Sequence, residues 1–124
     1  PSPITALDDN HEKGLVTRSG MAVMFNDKNS TIKISTPGKR VITLDDKKGV
    51  IIFKDNKNEI TIGSEGIILK SNGNINMTAS GDVKIEGTNV SIAANANFKA
   101  EGSAGAEVST SAVAVLKGSL VQIN

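Results

Sequence analysis

The chain has 124 residues, with 14 Lys and Arg against 13 Asp and Glu, and its formal net charge of +1 points to neither nucleic acid nor a lipid surface. Three residues are aromatic, all Phe, and Trp, Tyr and Cys are missing, which excludes a disulfide framework, thiol chemistry and a core built largely on rings. No apolar run approaches the ~20 residues of a membrane helix, so stable membrane insertion is not expected.

The start, Pro1-Ser2-Pro3-Ile4, shows neither an initiator Met nor a charged-then-apolar leader and reads as a cut inside a longer protein. Short strands follow at Gly14-Leu15-Val16-Thr17-Arg18-Ser19-Gly20, Met21-Ala22-Val23-Met24-Phe25 and Thr31-Ile32-Lys33-Ile34. One phrase recurs three times: Phe25-Asn26-Asp27-Lys28-Asn29, Leu44-Asp45-Asp46-Lys47-Lys48-Gly49 and Phe53-Lys54-Asp55-Asn56-Lys57-Asn58. Each is an apolar residue followed by an Asp, Asn and Lys corner. The corners are longer here than further along the chain, and Pro37-Gly38 marks a seam. Residues 1–39 are therefore read as a connector with wider β-layers, and residues 40–124 as a more regular repeat.

From about Arg40, apolar pairs with one residue between them recur every seven to nine positions. They are Ile42/Leu44, Ile51/Phe53, Ile60/Ile62, Ile67/Leu69, Ile75/Met77, Val83/Ile85, Val90/Ile92, Phe98/Ala100, Ala106/Val108, Val113/Val115 and Val121/Ile123. Spacing of i, i+2 puts both members of a pair on one face of a strand, and no window shows the i, i+3, i+4 spacing of a helix. Gly49, Gly73 and Gly81 each stand two positions before a pair, and Asn58 takes the same place; Gly and Asn suit the positive φ of a sharp corner. The unit is corner, short strand, corner, about eight residues long, a period typical of fibres and solenoids.

Two architectures accommodate such a unit. A monomeric solenoid would stack three units per coil. A homotrimer would wind three chains into an intertwined, triple-stranded β-helix, a triangular prism whose faces each chain crosses in turn. The missing rings favour the trimer, whose interior is too narrow for them, and intertwining leaves no lateral edge open. Eight of the eleven alanines lie at or after Ala93, so the prism is expected to tighten there. Val113, Val115, Leu116, Leu120, Val121 and Ile123 keep the apolar signal going to the last residues, unlike a disordered tail.

Chemistry-bearing residues are few. Asp45-Asp46 is the best candidate cation pair, but two adjacent carboxylates followed by Lys47 and Lys48 fall short of a calcium loop and read as turn residues. His11, the only histidine, stands in a polar segment beside Glu12 and Lys13 and reads as a solvated loop residue rather than an axial ion ligand. No Ser, His and Asp motif, buried acid pair or phosphate-cradling glycine pattern is present. No catalytic residue, cofactor or metal site is expected, and the chain is read as non-enzymatic.

Several segments carry a family likeness. Gly14-Leu15-Val16-Thr17-Arg18-Ser19-Gly20 resembles the entry to the β-helix of valine-glycine repeat (VgrG) spike proteins of type VI secretion systems. Val41-Ile42-Thr43-Leu44-Asp45-Asp46-Lys47-Lys48-Gly49 resembles their β-layers, and Leu116-Lys117-Gly118-Ser119-Leu120-Val121-Gln122-Ile123-Asn124 is similar to their C-terminal ending. Spikes of contractile phage tails and of extracellular injection particles share this β-helix. The resemblance implies a homotrimeric puncturing spike, assembled on a baseplate in the bacterial cytoplasm and then injected out of the cell. Its missing N-terminal domains would join the inner-tube hub. Its blunt end would dock a PAAR-repeat tip protein and help carry effectors. There the last strands expose unpaired backbone groups to which a partner can add β-structure, so Leu120, Val121, Gln122, Ile123 and Asn124 are the candidate docking residues. They are also readable as ordinary last-strand residues. The alternatives are a trimeric adhesin or phage tail-fibre shaft and, less compatible with the missing aromatic platforms, a carbohydrate-cleaving solenoid enzyme.

Overall fold

The computed structural model describes residues 11–124; Pro1-Ser2-Pro3-Ile4 and the rest of residues 1–10 lie outside them. The chain is all-β, as the i, i+2 pattern predicts, and no helix occurs among the described residues. It divides into two units, Pro1–Ala79 and Ser80–Asn124.

The first unit holds one antiparallel sheet of seven strands: β1 (Glu12–Val16), β2 (Ala22–Asn26), β3 (Thr31–Ser35), β4 (Val41–Asp45), β5 (Val50–Lys54), β6 (Asn58–Gly63) and β7 (Gly66–Ser71). Their order in the sheet is their order in the chain, so every pairing is a hairpin. Pairing register decides which side chains share a face. One cross-strand ladder runs Leu15, Val23, Ile34, Ile42, Phe53, Ile60, Leu69. The ladder beside it runs Lys13, Phe25, Ile32, Leu44, Ile51, Ile62, Ile67. Both stand on the same face, and Lys13, in the first strand, is their only polar member. The other face carries Asn26, Thr31, Lys33, Ser35, Thr43, Lys54, Glu59, Thr61 and Lys70, with fewer apolar side chains. The pairs Ile42/Leu44 to Ile67/Leu69 therefore share one face, as expected.

The corners on one edge are loops 17–21, 36–40 and 55–57; those on the other are 27–30, 46–49 and 64–65. The first two loops on each edge repeat one another nineteen residues apart. Thr17 O and Thr36 O accept from Gly20 N and Lys39 N, and the Thr17 and Thr36 hydroxyls accept from Met21 N and Arg40 N. On the opposite edge, the Asn26 carbonyl oxygen Oδ1 accepts from Asn29 N at 2.9 Å and the Asp45 carboxylate from Lys48 N at 2.9 Å. Asp55 repeats the bond to the third residue on, accepting from Asn58 N at 2.8 Å. The recurring Asp/Asn/Lys phrase is thus a recurring turn in which a side chain holds the backbone. Pro37-Gly38, read as a seam, lies inside one of these loops, and the sheet runs on through residue 40 to Ser71. Strands β4 to β7 pair within the chain.

After Ser71 the character changes. Bends fall at residues 72–73, with a segment 74–79 outside any strand completing the first unit. In the second unit, bends at 80–81, 88–89, 95–96, 103–104, 111–112 and 119–120 separate segments that belong to no strand, at intervals of seven or eight residues. Each segment from 74 onward contains one of the apolar pairs, from Ile75/Met77 to Val121/Ile123, so the spacing of corners follows the repeat, but no strand forms there within the chain. The corner geometry differs in one respect. Gly49 has positive φ, +65°, whereas Gly73 and Gly81 do not. Those two corners bend the chain without the left-handed residue that a tight reversal uses.

Among the described residues no side chain is buried, polar or apolar. The fold has a core-facing pattern without anything covering it.

Candidate functional site

Two features have the composition of an interface. The first is the apolar face of the sheet. None of its thirteen aliphatic and aromatic side chains is buried: Leu15 is 77% exposed at one end of its ladder and Ile67 is 71% exposed at the end of the other. Even the central Leu44 and Phe53 remain about 40% exposed. Monomeric proteins rarely leave contiguous apolar patches larger than a few hundred Å² in water. A concavity of about 540 Å³ opens on this face between Ile32, Leu44, Ile51 and Ile62, with Asp45 and Asp46 at its rim. Leu15, Val23, Phe25, Ile32 and Ile34 extend the face beyond the pairs counted from Arg40, a continuity visible only once the register is known.

The second feature is the run of segments after Asn72 that belong to no strand. Among the described residues, the last backbone-to-backbone hydrogen bond runs from Asn72 N to Lys57 O, 2.9 Å. Beyond it only Gly73 N and Ala112 N find acceptors, the hydroxyls of Ser71 and Thr110. Backbone with open N–H and C=O groups is what an adjoining strand completes. The apolar pairs in these segments are equally open, with Ile85 68%, Ile92 66% and Val108 96% exposed.

The five expected docking residues are consecutive at the end of the second unit, where Leu120 belongs to the last bend and residues 121–124 follow it. All are exposed, Leu120 at 81% and Ile123 at 84%, and Val121 is the most covered apolar member at 44%. Among the described residues, no hydrogen bond engages the Gln122 or Asn124 side chain. The structure brings the five together as one strip and gives it no strand partner within the described chain.

The residues weighed for chemistry are engaged in local structure. Asp45 holds its turn through Lys48 N, and Asp46 N donates to Ser30 O at 3.0 Å. His11 O accepts from Asp27 N at 2.8 Å, which anchors the residue before β1. Among the described residues, no three His, Cys, Asp or Glu side chains gather into a cluster that could hold a metal. The N–H groups of Lys57 and Asn58 hold the Asp55 carboxyl below the ordinary 3.8, against some desolvation and with smaller help from the Asn58 side chain and Arg40. Among the described residues, no helix is long and apolar enough to cross a membrane.

A scan against protein-family models finds no match to this chain, and a search of the curated proteins finds none either.

Proposed function

We propose that the chain is one strand of a homotrimeric, triple-stranded β-helix that works as the puncturing spike of a contractile injection system of the type VI secretion kind. One observation carries the reading: an entire sheet face of apolar side chains lies open, and it is followed by segments with no backbone partners among the described residues of their own chain. Copies of the same chain supply both needs at once, because their periods match by construction. The role is mechanical rather than catalytic. Hydrogen bonds between stacked strands run along the axis of such a prism, so bending it stretches many at a time.

In this reading the spike is assembled on the baseplate hub and driven out of the cell when the sheath contracts. Its C-terminal strip, Leu120 to Asn124, receives a PAAR-repeat tip protein by strand addition, and effectors travel with the spike or its tip. The resemblance of Leu116–Asn124 to the ending of VgrG spikes supports this end as the docking surface. Light scattering tests the assembly: three times 12.9 kDa is expected, and a folded monomer overturns the proposal. Capture by a PAAR-domain protein, lost on deleting residues 120–124 while the trimer survives, separates this reading from an adhesin or tail-fibre shaft.

A further inference from the structure

The two loop-bearing edges of the sheet carry opposite net charge. On the edge formed by loops 17–21, 36–40 and 55–57 stand Arg18, Lys39, Arg40, Lys54, Lys57 and Lys70, against Asp55 and Glu59. Six cations and two anions leave +4. The edge formed by loops 27–30, 46–49 and 64–65 has Glu12, Asp27, Asp45, Asp46 and Glu65, against Lys13, Lys28, Lys47 and Lys48. Four cations and five anions leave −1.

The two edges do not neutralise one another inside the chain. Among the described residues, the ion pair within reach is Lys99 with Glu101, 2.9 Å, outside the sheet altogether. A five-residue strand separates the edges by about 17 Å, roughly twice the screening length at physiological salt. Lys47 Nζ is bound to Lys28 O, and Asp45 and Asp55 are bound by backbone N–H groups. The Arg18, Arg40 and Lys57 side chains on one edge, and those of Asp27, Asp46 and Glu65 on the other, make no such bonds among the described residues.

We infer that the basic edge of one copy docks along the acidic edge of the next, head to tail, so that the sheets close into a ring with their apolar faces inward. This rests on the homotrimer proposed above and specifies how its copies meet. A contact between two different patches closes into a ring where its rotation returns to the first copy, whereas a two-fold contact that joins like edges sets +4 against +4. The apolar face supplies affinity without direction; the edges supply direction and relative height, the usual contribution of complementary charge.

Full-length variants test this in about 50 mM salt. Reversing the basic edge (Arg18→Glu, Arg40→Glu, Lys57→Glu) or the acidic edge (Asp27→Lys, Asp46→Lys, Glu65→Lys) raises the concentration needed for assembly by about tenfold or more. Combining both sets in one chain returns it to within about threefold of the original. At ~1 M salt the differences shrink. Assembly of the unmodified chain also slows as salt is raised, which requires no variant to fold. An unmodified trimer indifferent to both salt and edge reversal overturns this inference alone. Failure of the combined set to recover, with its sheet intact by circular dichroism, does the same. An unmodified chain that stays monomeric, or stops at two copies, overturns the trimer as well.

Discussion

Gly20 and Lys39 occupy the same position in two matching turns on one edge of the sheet, and both have positive φ, +92° and +65°. Glycine adopts that conformation freely, while a side chain crowds the following carbonyl. Lys39→Gly is therefore expected to stabilise the fold by up to about 1 kcal/mol, the left-handed strain offset partly by glycine's larger entropy loss. Gly20→Ala should cost about as much, because a Cβ there would also meet Pro37 Cγ at 3.1 Å. Thermal unfolding of the assembled protein measures both. Ser30, at φ +55° where the next repeat has Gly49, offers a second test of the same logic through Ser30→Gly.

The two faces of β4 predict opposite outcomes for one substitution. Ile42 stands between Ile34 and Phe53 on the apolar face; its chain neighbour Thr43 stands between Lys33 and Ile52 on the other. Ile42→Lys buries an unpaired ammonium in the proposed interface and should abolish assembly at micromolar concentration. Thr43→Lys should leave the assembled mass unchanged. Light scattering distinguishes the two, and equal behaviour would count against the apolar face as the contact surface.

Backbone pairing between copies is tested by removing a single donor. Lys84 lies in a segment with no hydrogen-bond partner for its N–H among the described residues of its own chain. Lys84→Pro therefore loses nothing internal. Where another copy accepts that N–H, the substitution leaves its carbonyl unpaired and destabilises the assembly by about 1–3 kcal/mol per copy. Denaturant unfolding of the assembly measures the loss.

Asp55 predicts a specific acid response. Its folded pKa is below the ordinary 3.8 because backbone N–H groups bind the charged form. Protons consequently bind the unfolded chain more readily, and the stability contributed by this turn is present above 3.8 and lost as pH falls through the lower, folded value. Asp55→Asn removes that dependence. The stability gap between the original protein and the Asp55→Asn variant should hold constant above about pH 4 and narrow below it, as read by unfolding midpoints at each pH.

Much of the fold is legible in the chain itself. The pairs Ile42/Leu44 through Ile67/Leu69 locate β4 to β7, and the Asn/Asp corners locate the turns, because both signals are local; the pairs from Ile75/Met77 onward fall between bends where no strand forms within the chain. Whether a strand pairs with its own chain or another is not local. Ile60/Ile62 and Val83/Ile85 look alike in sequence, yet the first pair lies in a hairpin and the second in an unpartnered segment. Pro37-Gly38 lies in the turn between β3 and β4, and its composition suits a seam and a hairpin turn alike. Thr17 and Thr36, equivalent in the two turns, are the signal that joins the layers on either side. The candidate interface is legible as apolar pairs. Its unbroken extent from Leu15 to Leu69, and the charge asymmetry of the two edges, emerge only when the register sets distant residues side by side.

Because each strand of the sheet pairs with its immediate successor, no loop between partners exceeds five residues. Closing so short a loop costs little entropy, and contacts of that kind form early in folding. A chain leaving the ribosome can thus lay down this part by itself, hairpin upon hairpin. The segments after Asn72 have no such local route, and in the proposed trimer they would gain their order from encounter with other chains. On that proposal, synthesis would meet assembly in a fixed sequence: the meander would offer a ready template on which newly made copies align, and the remainder would zip up behind it.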